Sequence, residues 1–453
     1  MPNVNIEIVG FEETERLRFE GVGLRSVSRM FGEAVSIETK VTLNLMFLDM
    51  GKVMRMRRLE EAEVDYKNLV SLSKTDLFEV EGVNWLKRYI QTFEGFCEGA
   101  GISYAEGAFL QIEEEAGCQS LMVQDKTTGE IRAIHTEEDP TFDITNKKER
   151  YDYHLVEMKV EGKEMVFFAY PGMCSWGIAF GVNKTTGMIQ LVDDMYVKPV
   201  HSQGMLWASA VGFMMLDCGH FKTVGELVRR IRKLPGEKFT GGYALQMIKA
   251  GSSGARMKTI EFIGDKIVFV KPVEAEDRLI SPQSNYARDE GLQGYTTNAV
   301  PPEGERWTQA DAEAYVEMRE RYYRLEKMGL TGEWLQKSPE ETITLGLEML
   351  AKPDGDIGRG WTDEGRPRYF YTGMPTKIVA GHFAAYVNKD EVLCYMGKGL
   401  PRPTKGREYS LSVKRGFKYA KNKIWEMAEK ERKIRNKKLI VKDGNDSKQT
   451  KTG

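Results

Sequence analysis

Residues 113 to 123 read Glu-Glu-Glu-Ala-Gly-Cys-Gln-Ser-Leu-Met-Val, so Cys118 follows a glycine and opens a strand-like run. A thiol with an ordinary pKa of about 8.5 is mostly protonated at neutral pH and becomes a nucleophile only with a base in reach. On residue type alone, a packing cysteine is the commoner occupant of such a position. Ser120 would share the face of Cys118, because side chains alternate along a strand.

Other candidates weigh less. Cys97, Cys174, Cys218 and Cys394 are irregularly spaced and form no Cys-x-x-Cys, which argues against a disulfide framework or a zinc ribbon. Cys218-Gly-His220 sets two metal-ligand types side by side, but no second pair completes a site, and a cysteine at a helix end is the plainer reading. Gly251-Ser-Ser-Gly-Ala-Arg256 lacks the Gly-Lys-Ser/Thr ending of a phosphate loop, so a turn before a strand at Met257 is expected. Gly21-Val-Gly23 lacks the third glycine of a dinucleotide fingerprint. Asn183-Lys-Thr185 fits a glycosylation acceptor that a cytoplasmic chain would not use. His135, His154, His201, His220 and His382 are scattered. Any of them can serve a Cys-His hydrolase, with His135 first in line because it lies near Cys118.

The elements that must carry these residues follow from pattern. Residues 5 to 9 read as a strand, and the charged sequence behind them as mostly helical. Val83, Leu86, Ile90, Phe93 and Cys97 recur at spacings of three and four, which lays one apolar stripe along a helix. Gly99 and Gly101 are expected to end it, and Ser103 to Glu106 to open the next helix as a capping box. Strands are expected at 120–124, 131–135, 155–160, 165–170, 177–182 and 188–192. Val123-Gln-Asp-Lys-Thr-Thr-Gly-Glu-Ile131 and Val182-Asn-Lys-Thr-Thr-Gly-Met-Ile189 echo each other as strand, glycine turn and strand. A helix capped by Thr223 to Glu226 should stop near Pro235, and a hairpin should span 257–270. Thr308 to Asp311 and Ser338 to Glu341 read as two more helix starts. A last hairpin should run over 378–387 and 391–396. Blocks of helices and antiparallel strands imply an α+β fold of sheets covered by helices.

The 453 residues are 41% apolar and 29% charged, with a net charge of −2. That balance allows a sizeable core and gives no overall attraction to nucleic acid or to an anionic membrane. No run of 18 apolar residues suggests a transmembrane helix. The first twenty residues have no apolar signal region, so a cytoplasmic location is expected. After Ser412 the tail carries 14 Lys or Arg against 5 Asp or Glu. It reads as a solvated basic terminus whose polar last ten residues stay disordered.

Several short motifs stand in a telling order. Glu94-Gly-Phe-Cys-Glu-Gly-Ala-Gly-Ile-Ser103 precedes Gly117-Cys-Gln-Ser120. Then come the turn at Gly129 and His135-Thr-Glu-Glu-Asp139. Phe180-Gly-Val-Asn183 with Gly187, the helix of Thr223 to Pro235, Ser284-Asn-Tyr286, Arg321 to Leu325 and Met396-Gly-Lys-Gly399 follow. From about Val83 to about Leu400 this order resembles the acyl-CoA:6-aminopenicillanic acid acyltransferase family, linear amide hydrolases of the N-terminal-nucleophile type. The resemblance implies a four-layer αββα sandwich of two antiparallel sheets. Residues 1–117 would form an N-terminal segment packed on the same domain, 118–412 the catalytic segment and 413–453 the tail. It implies autocleavage at Gly117-Cys118 and attack by the Cys118 thiolate on a linear amide or acyl donor, with the new α-amine as base. Asn285 would donate to the oxyanion, Ser120 would match a hydroxyl position, and Asp139 or Glu138 would orient the amine. Hydrolysis and acyl transfer to an amine both remain open. A small-molecule amide or acyl donor is the expected partner, without nucleic acid, membrane, cofactor or metal. Gln119, Thr136 and Tyr286 depart from the family pattern and motivate a second reading, a non-catalytic small-molecule or peptide binder on the same scaffold. A third is an uncleaved Cys-His hydrolase.

Overall fold

The structure is a computed structural model, and it describes residues 5–9, 16–47, 50–112, 117–139, 154–170, 179–195, 204–251, 254–285, 287–296, 322, 325–330, 337–338, 341 and 378–398. Strands β1 (Asn5–Val9) and β2 (Arg16–Gly21) precede helices α1 (Leu24–Ala34), α2 (Ser36–Met46) and α3 (Lys52–Ser73). The short pair β3 (Glu79–Val80) and β4 (Val83–Asn84) leads into α4 (Trp85–Ala100) and α5 (Tyr104–Ile112). Hairpins β5–β6 (Gly117–Asp125, Ile131–Asp139), β7–β8 (His154–Val160, Lys163–Ala169) and β9–β10 (Phe180–Asn183, Met188–Asp194) follow. After β11 (Leu206–Trp207) come α6 (Ala208–Cys218) and α7 (Phe221–Ile231), then β12 (Phe239–Thr240), β13 (Tyr243–Lys249), β14 (Arg256–Ile263) and β15 (Lys266–Val270). Strands β16 (Val273–Glu274) and β17 (Arg278–Ser284), helix α8 (Glu290–Gln293) and hairpin β18–β19 (Ile378–Val387, Glu391–Lys398) complete the described chain.

Two large sheets organise these elements. The seven-stranded sheet runs β1-β19-β18-β6-β5-β17-β16, and the eight-stranded sheet β15-β14-β13-β10-β9-β8-β7-β2. Neighbours pair antiparallel except at two edges, where β1 lies parallel to β19 and β2 parallel to β7. The fold is therefore α+β with several sheets. Alternation decides what each sheet face meets. Cys118, Met122, Ala133 and Phe383 of one sheet bury against Leu155, Phe168, Phe180 and Ile189 of the other, forming the core between the sheets. The opposite face of the eight-stranded sheet, with Val156, Met158, Phe167 and Leu245, is covered by Val27, Phe31, Phe96, Phe213 and Leu227 of the helices. Leu121, Val123, Ile134 and Ile280, on the far face of the seven-stranded sheet, meet Leu325 and Met328.

The expected elements mostly appear, with instructive exceptions. Among the described residues the charged N-terminal stretch is mostly helical, apart chiefly from β2, whose pairing with β7 gives the sequence a strand role that its own residues do not announce. Asn84 caps α4 by accepting from the Lys87 N–H, so Val83 sits just outside the helix in β4. Gly101 ends α4 in the left-handed conformation at φ 65°. Gly99 does not end it: a Cβ there, or at Gly95, would collide with backbone of α1. The capping box at Ser103 and Glu106 forms as expected, and so does that at Ser338 and Glu341. The one at Thr223 does not. Helix α7 starts two residues earlier, with His220 at its N-cap position, and the Thr223 hydroxyl donates to Glu81. Of helix α6, buried on every side, the sequence marks only the end, at Cys218, because a helix without a polar face carries no 3.6-residue pattern. The expected helix at Thr308, most of Arg321 to Leu325, and the tail from 413 lie outside the described residues. Among the described residues, no helix is long and apolar enough to cross a membrane.

Candidate functional site

Strand β5 brings Cys118 to the core between the sheets, and hairpin geometry sets what stands beside it. The turn holds Gly129 at φ 73°. Equal steps back along both strands pair Cys118 with Glu137, Ser120 with His135 and Gln119 with Thr136. Residues opposite each other in an antiparallel pair share a face, so Cys118, Glu137, Ser120 and His135 converge on one side.

The Cys118 thiol donates to Glu137 Oε1 at 3.1 Å. The Tyr170 hydroxyl donates to the same oxygen. The other oxygen, Oε2, meets His135 Nε2 at 2.8 Å. The Cys118 backbone N–H donates to Asn285 Oδ1 at 3.1 Å, and Asn285 Nδ2 donates to the Asp194 carbonyl at 2.7 Å. Those two bonds fix which end of the carboxamide faces which partner. The Ser120 hydroxyl donates to Asp193. Strand β10 thus closes the site from the opposite sheet through Asp193 and Asp194. Cys118, Ser120, His135, Glu137 and Asn285 are all at most 1% exposed.

Burial is the first cause that pushes the Cys118 thiol well above its ordinary range, followed by the negative charges of Glu137, Asp194 and Asp193; a backbone hydrogen bond from Asp194 works the other way. Burial also raises Cys218, to about 12, and Cys394. Cys118 differs from them in having a carboxylate directly on its sulfur. A proton acceptor at hydrogen-bond distance is what a protonated thiol needs in order to attack.

The structure brings Asn285 and Ser120 to Cys118, as the expected assignments require. Asn285 contacts the backbone nitrogen of Cys118 through its amide oxygen. Asp139, at the end of β6, pairs with Ile378, and Glu138 pairs with Gly117; their side chains lie outside the described ones. The carboxylate that touches the sulfur is Glu137, which the family motif does not single out. The sequence does carry a usable signal for it, since counting outward from the Gly129 turn pairs Cys118 with Glu137. Tyr170, Asp193 and Asp194 carry no comparable local signal.

The remaining candidates resolve into structure. Cys97 packs in the helix core, where a Cβ at Gly107 would strike its sulfur. Cys218 donates to the Met215 carbonyl at 3.3 Å at the end of α6, beside Gly219 at φ 62°. Among the described residues, no group of three or more His, Cys, Asp or Glu is arranged to hold a metal ion. The Gly251 to Arg256 segment leads into β14, as a turn should. Asn183 is fully buried, donates to the Leu216 carbonyl at 3.0 Å and accepts from the Thr186 N–H. His154 opens β7, and the His382 ring stacks on Tyr395 with centroids 5.6 Å apart. Cys174, His201 and Tyr286 lie outside the described residues.

No protein-family model matches this chain, and no curated protein matches it.

Proposed function

We propose that this chain is a cysteine N-terminal-nucleophile hydrolase that cleaves its own Gly117–Cys118 bond and then uses Cys118 on a linear amide, passing the acyl group to water or to an amine. The observation that carries the reading is the setting of Cys118 at the second position of β5. Its sulfur lies on the Glu137 carboxylate and its backbone nitrogen on the Asn285 amide. In this reading the layers described above are those of an αββα sandwich, with the nucleophile between its two sheets.

The roles follow from placement. Glu137 takes the thiol proton. Asn285 Oδ1 holds the Cys118 nitrogen, first as a peptide N–H and, after cleavage, as an α-amine of pKa about 8 that serves as the base for turnover. Nδ2 of Asn285 stabilises the oxyanion, a contribution of roughly 2.7–4 kcal/mol for a donor of this kind. Ser120 ties the nucleophile strand to Asp193 of the facing sheet. Glu137 thereby takes the place that the family resemblance gives to Asp139 or Glu138.

Intact-mass measurement of freshly purified full-length protein beside Cys118→Ala tests the proposal. Two fragments, 1–117 and 118–453, in the wild type only would support it. A wild-type chain that stays whole for days would sink it and favour a Cys-His hydrolase working intact, or a binder on the same scaffold.

A further inference from the structure

Glu137 bridges the Cys118 sulfur and His135, hydrogen-bonded to both. The two carboxylate oxygens of Glu137 are used differently. Oε1 receives the thiol and the Tyr170 hydroxyl, while Oε2 meets His135 Nε2. A carboxylate anchored through one oxygen aims the other, so the imidazole determines how Glu137 is presented to the nucleophile. The geometry points to His135 as a positioning residue that aims Glu137 at the Cys118 thiol and, by gaining charge in acid, weakens it as a base, so that the intact chain restrains its own cleavage at low pH. This rests on Cys118 being the nucleophile of the proposed reaction.

The surroundings of the imidazole support the assignment. Its own strand contributes Glu137. Strand β5 contributes Cys118 and Ser120, the second being its cross-strand partner. Strand β10 contributes Asp193 through the Ser120 hydroxyl, and Asp194. Tyr170, just past β8, reaches it through Glu137. Strands β9 and β18 contribute the rings of Phe180, 5.5 Å away, and Phe383, its cross-strand partner. The charged groups named here are acidic and lie on the nucleophile's side, whereas Arg132 of β6 alternates to the opposite face of its strand. A neutral imidazole donating from Nε2 leaves Glu137 a strong base, whereas an imidazolium draws charge from the same oxygen pair and makes it a weaker one.

The step balances. The Sγ–H bond breaks and its proton passes to Glu137 Oε1. The sulfur electron pair forms a bond to the Gly117 carbonyl carbon. The Gly117–Cys118 C–N bond breaks, its electron pair leaves on the Cys118 nitrogen, and that nitrogen takes the proton back from Glu137. Water then hydrolyses the thioester, giving the Gly117 carboxylate, the Cys118 thiol and a free α-amine.

Two readouts on the full chain test this. The first is the rate of Gly117–Cys118 cleavage after pulsed cell-free synthesis and dilution into buffers from about pH 5 to 8, the span in which imidazoles exchange protons. The second is the S–H stretching band of Cys118 by infrared difference against Cys118→Ala, which reports the thiol–Glu137 hydrogen bond whether or not the chain cuts. The wild-type rate should fall roughly tenfold on acidification, as a weakened general base dictates, with a matching shift of the S–H band. His135→Gln, which still donates to Oε2 but cannot charge, should keep the wild-type rate at pH 8 within a few-fold and lose the acid response. His135→Ala should lower the rate at every pH. A chain that never cuts but whose S–H band responds to acid in the wild type and not in His135→Gln would overturn the amidase reading and the restraint on cleavage with it, and would support only the positioning of Glu137 by His135. The same acid response in wild type and His135→Gln, in rate or in band, overturns the inference. If His135→Gln does not fold, the acid response of the S–H band in the wild type against Glu137→Gln carries the test. In addition, a band response to acid that survives Glu137→Gln also overturns it.

Discussion

Two hairpins of this chain share one local design and do different work. In β5–β6, Asp125 accepts from the Gly129 N–H through its backbone carbonyl and from the Thr127 and Thr128 N–H groups through its side chain. In β9–β10, Asn183 does the same for Gly187 and Thr186. Gly129 and Gly187 have φ 73° and 72°. The turns are near copies, yet the first lies at the surface while Asn183 is buried and donates to the Leu216 and Asp217 carbonyls at the end of α6. The chemistry gathers at the other ends of both hairpins, where Cys118 and Glu137 of one sheet meet Asp193 and Asp194 of the other. Turn residues set register, and the strand ends farthest from the turns build the site.

The sharpest way to break this comparison is to remove a carboxylate from each hairpin. Glu137→Gln should slow Gly117–Cys118 cleavage by about 10²-fold or more, the usual contribution of a general base, while Asp193→Asn stays within roughly tenfold; intact-mass time courses check both. Equal losses would mean that the two hairpins share the chemistry. Next are the two asparagines. Asn285→Ala should cost about 10²-fold in the same assay. Asn183→Ala should leave the rate within a few-fold and lower stability by about 1–3 kcal/mol, because buried backbone groups at the turn and at α6 lose their partners; urea unfolding measures it. A large rate loss in Asn183→Ala would extend the site along β9–β10. Smallest are the turn glycines. A Cβ at Gly129 or Gly187 meets nothing closer than 3.8 Å, so only the left-handed backbone resists it. Gly129→Ala and Gly187→Ala should therefore each cost about 1 kcal/mol, with similar drops in melting temperature. Unequal drops would show that the turns differ in more than their surroundings.

Much of the fold is legible in the sequence because it is local. The echoing turns, the strands on either side of them, the stripe of α4 and the capping boxes at Ser103 and Ser338 depend on residues a few positions apart. The capping box expected at Thr223 does not form, because Glu81, far away in sequence, takes the threonine hydroxyl and α7 begins at Phe221. Gly99 reads as a helix stop, but what requires glycine there is a neighbour, the α1 backbone, which the sequence does not display. Within the site, Cys118, Ser120 and Asn285 are legible and are brought together, and Glu137 is within reach of a register count. Tyr170, Asp193 and Asp194 are not, since each belongs to a strand or loop of the facing sheet.

From sequence alone come the α+β character and the position of Cys118 at the start of a strand, because hydrogen bonding and side-chain alternation act over short stretches of chain. Only the tertiary structure decides that the two sheets stack with Cys118 between them, that Asn285 closes on its nitrogen from 167 residues away, and that Asp193 and Asp194 complete the enclosure. Those contacts depend on how apolar faces exclude water against one another, and no local pattern records which face will meet which.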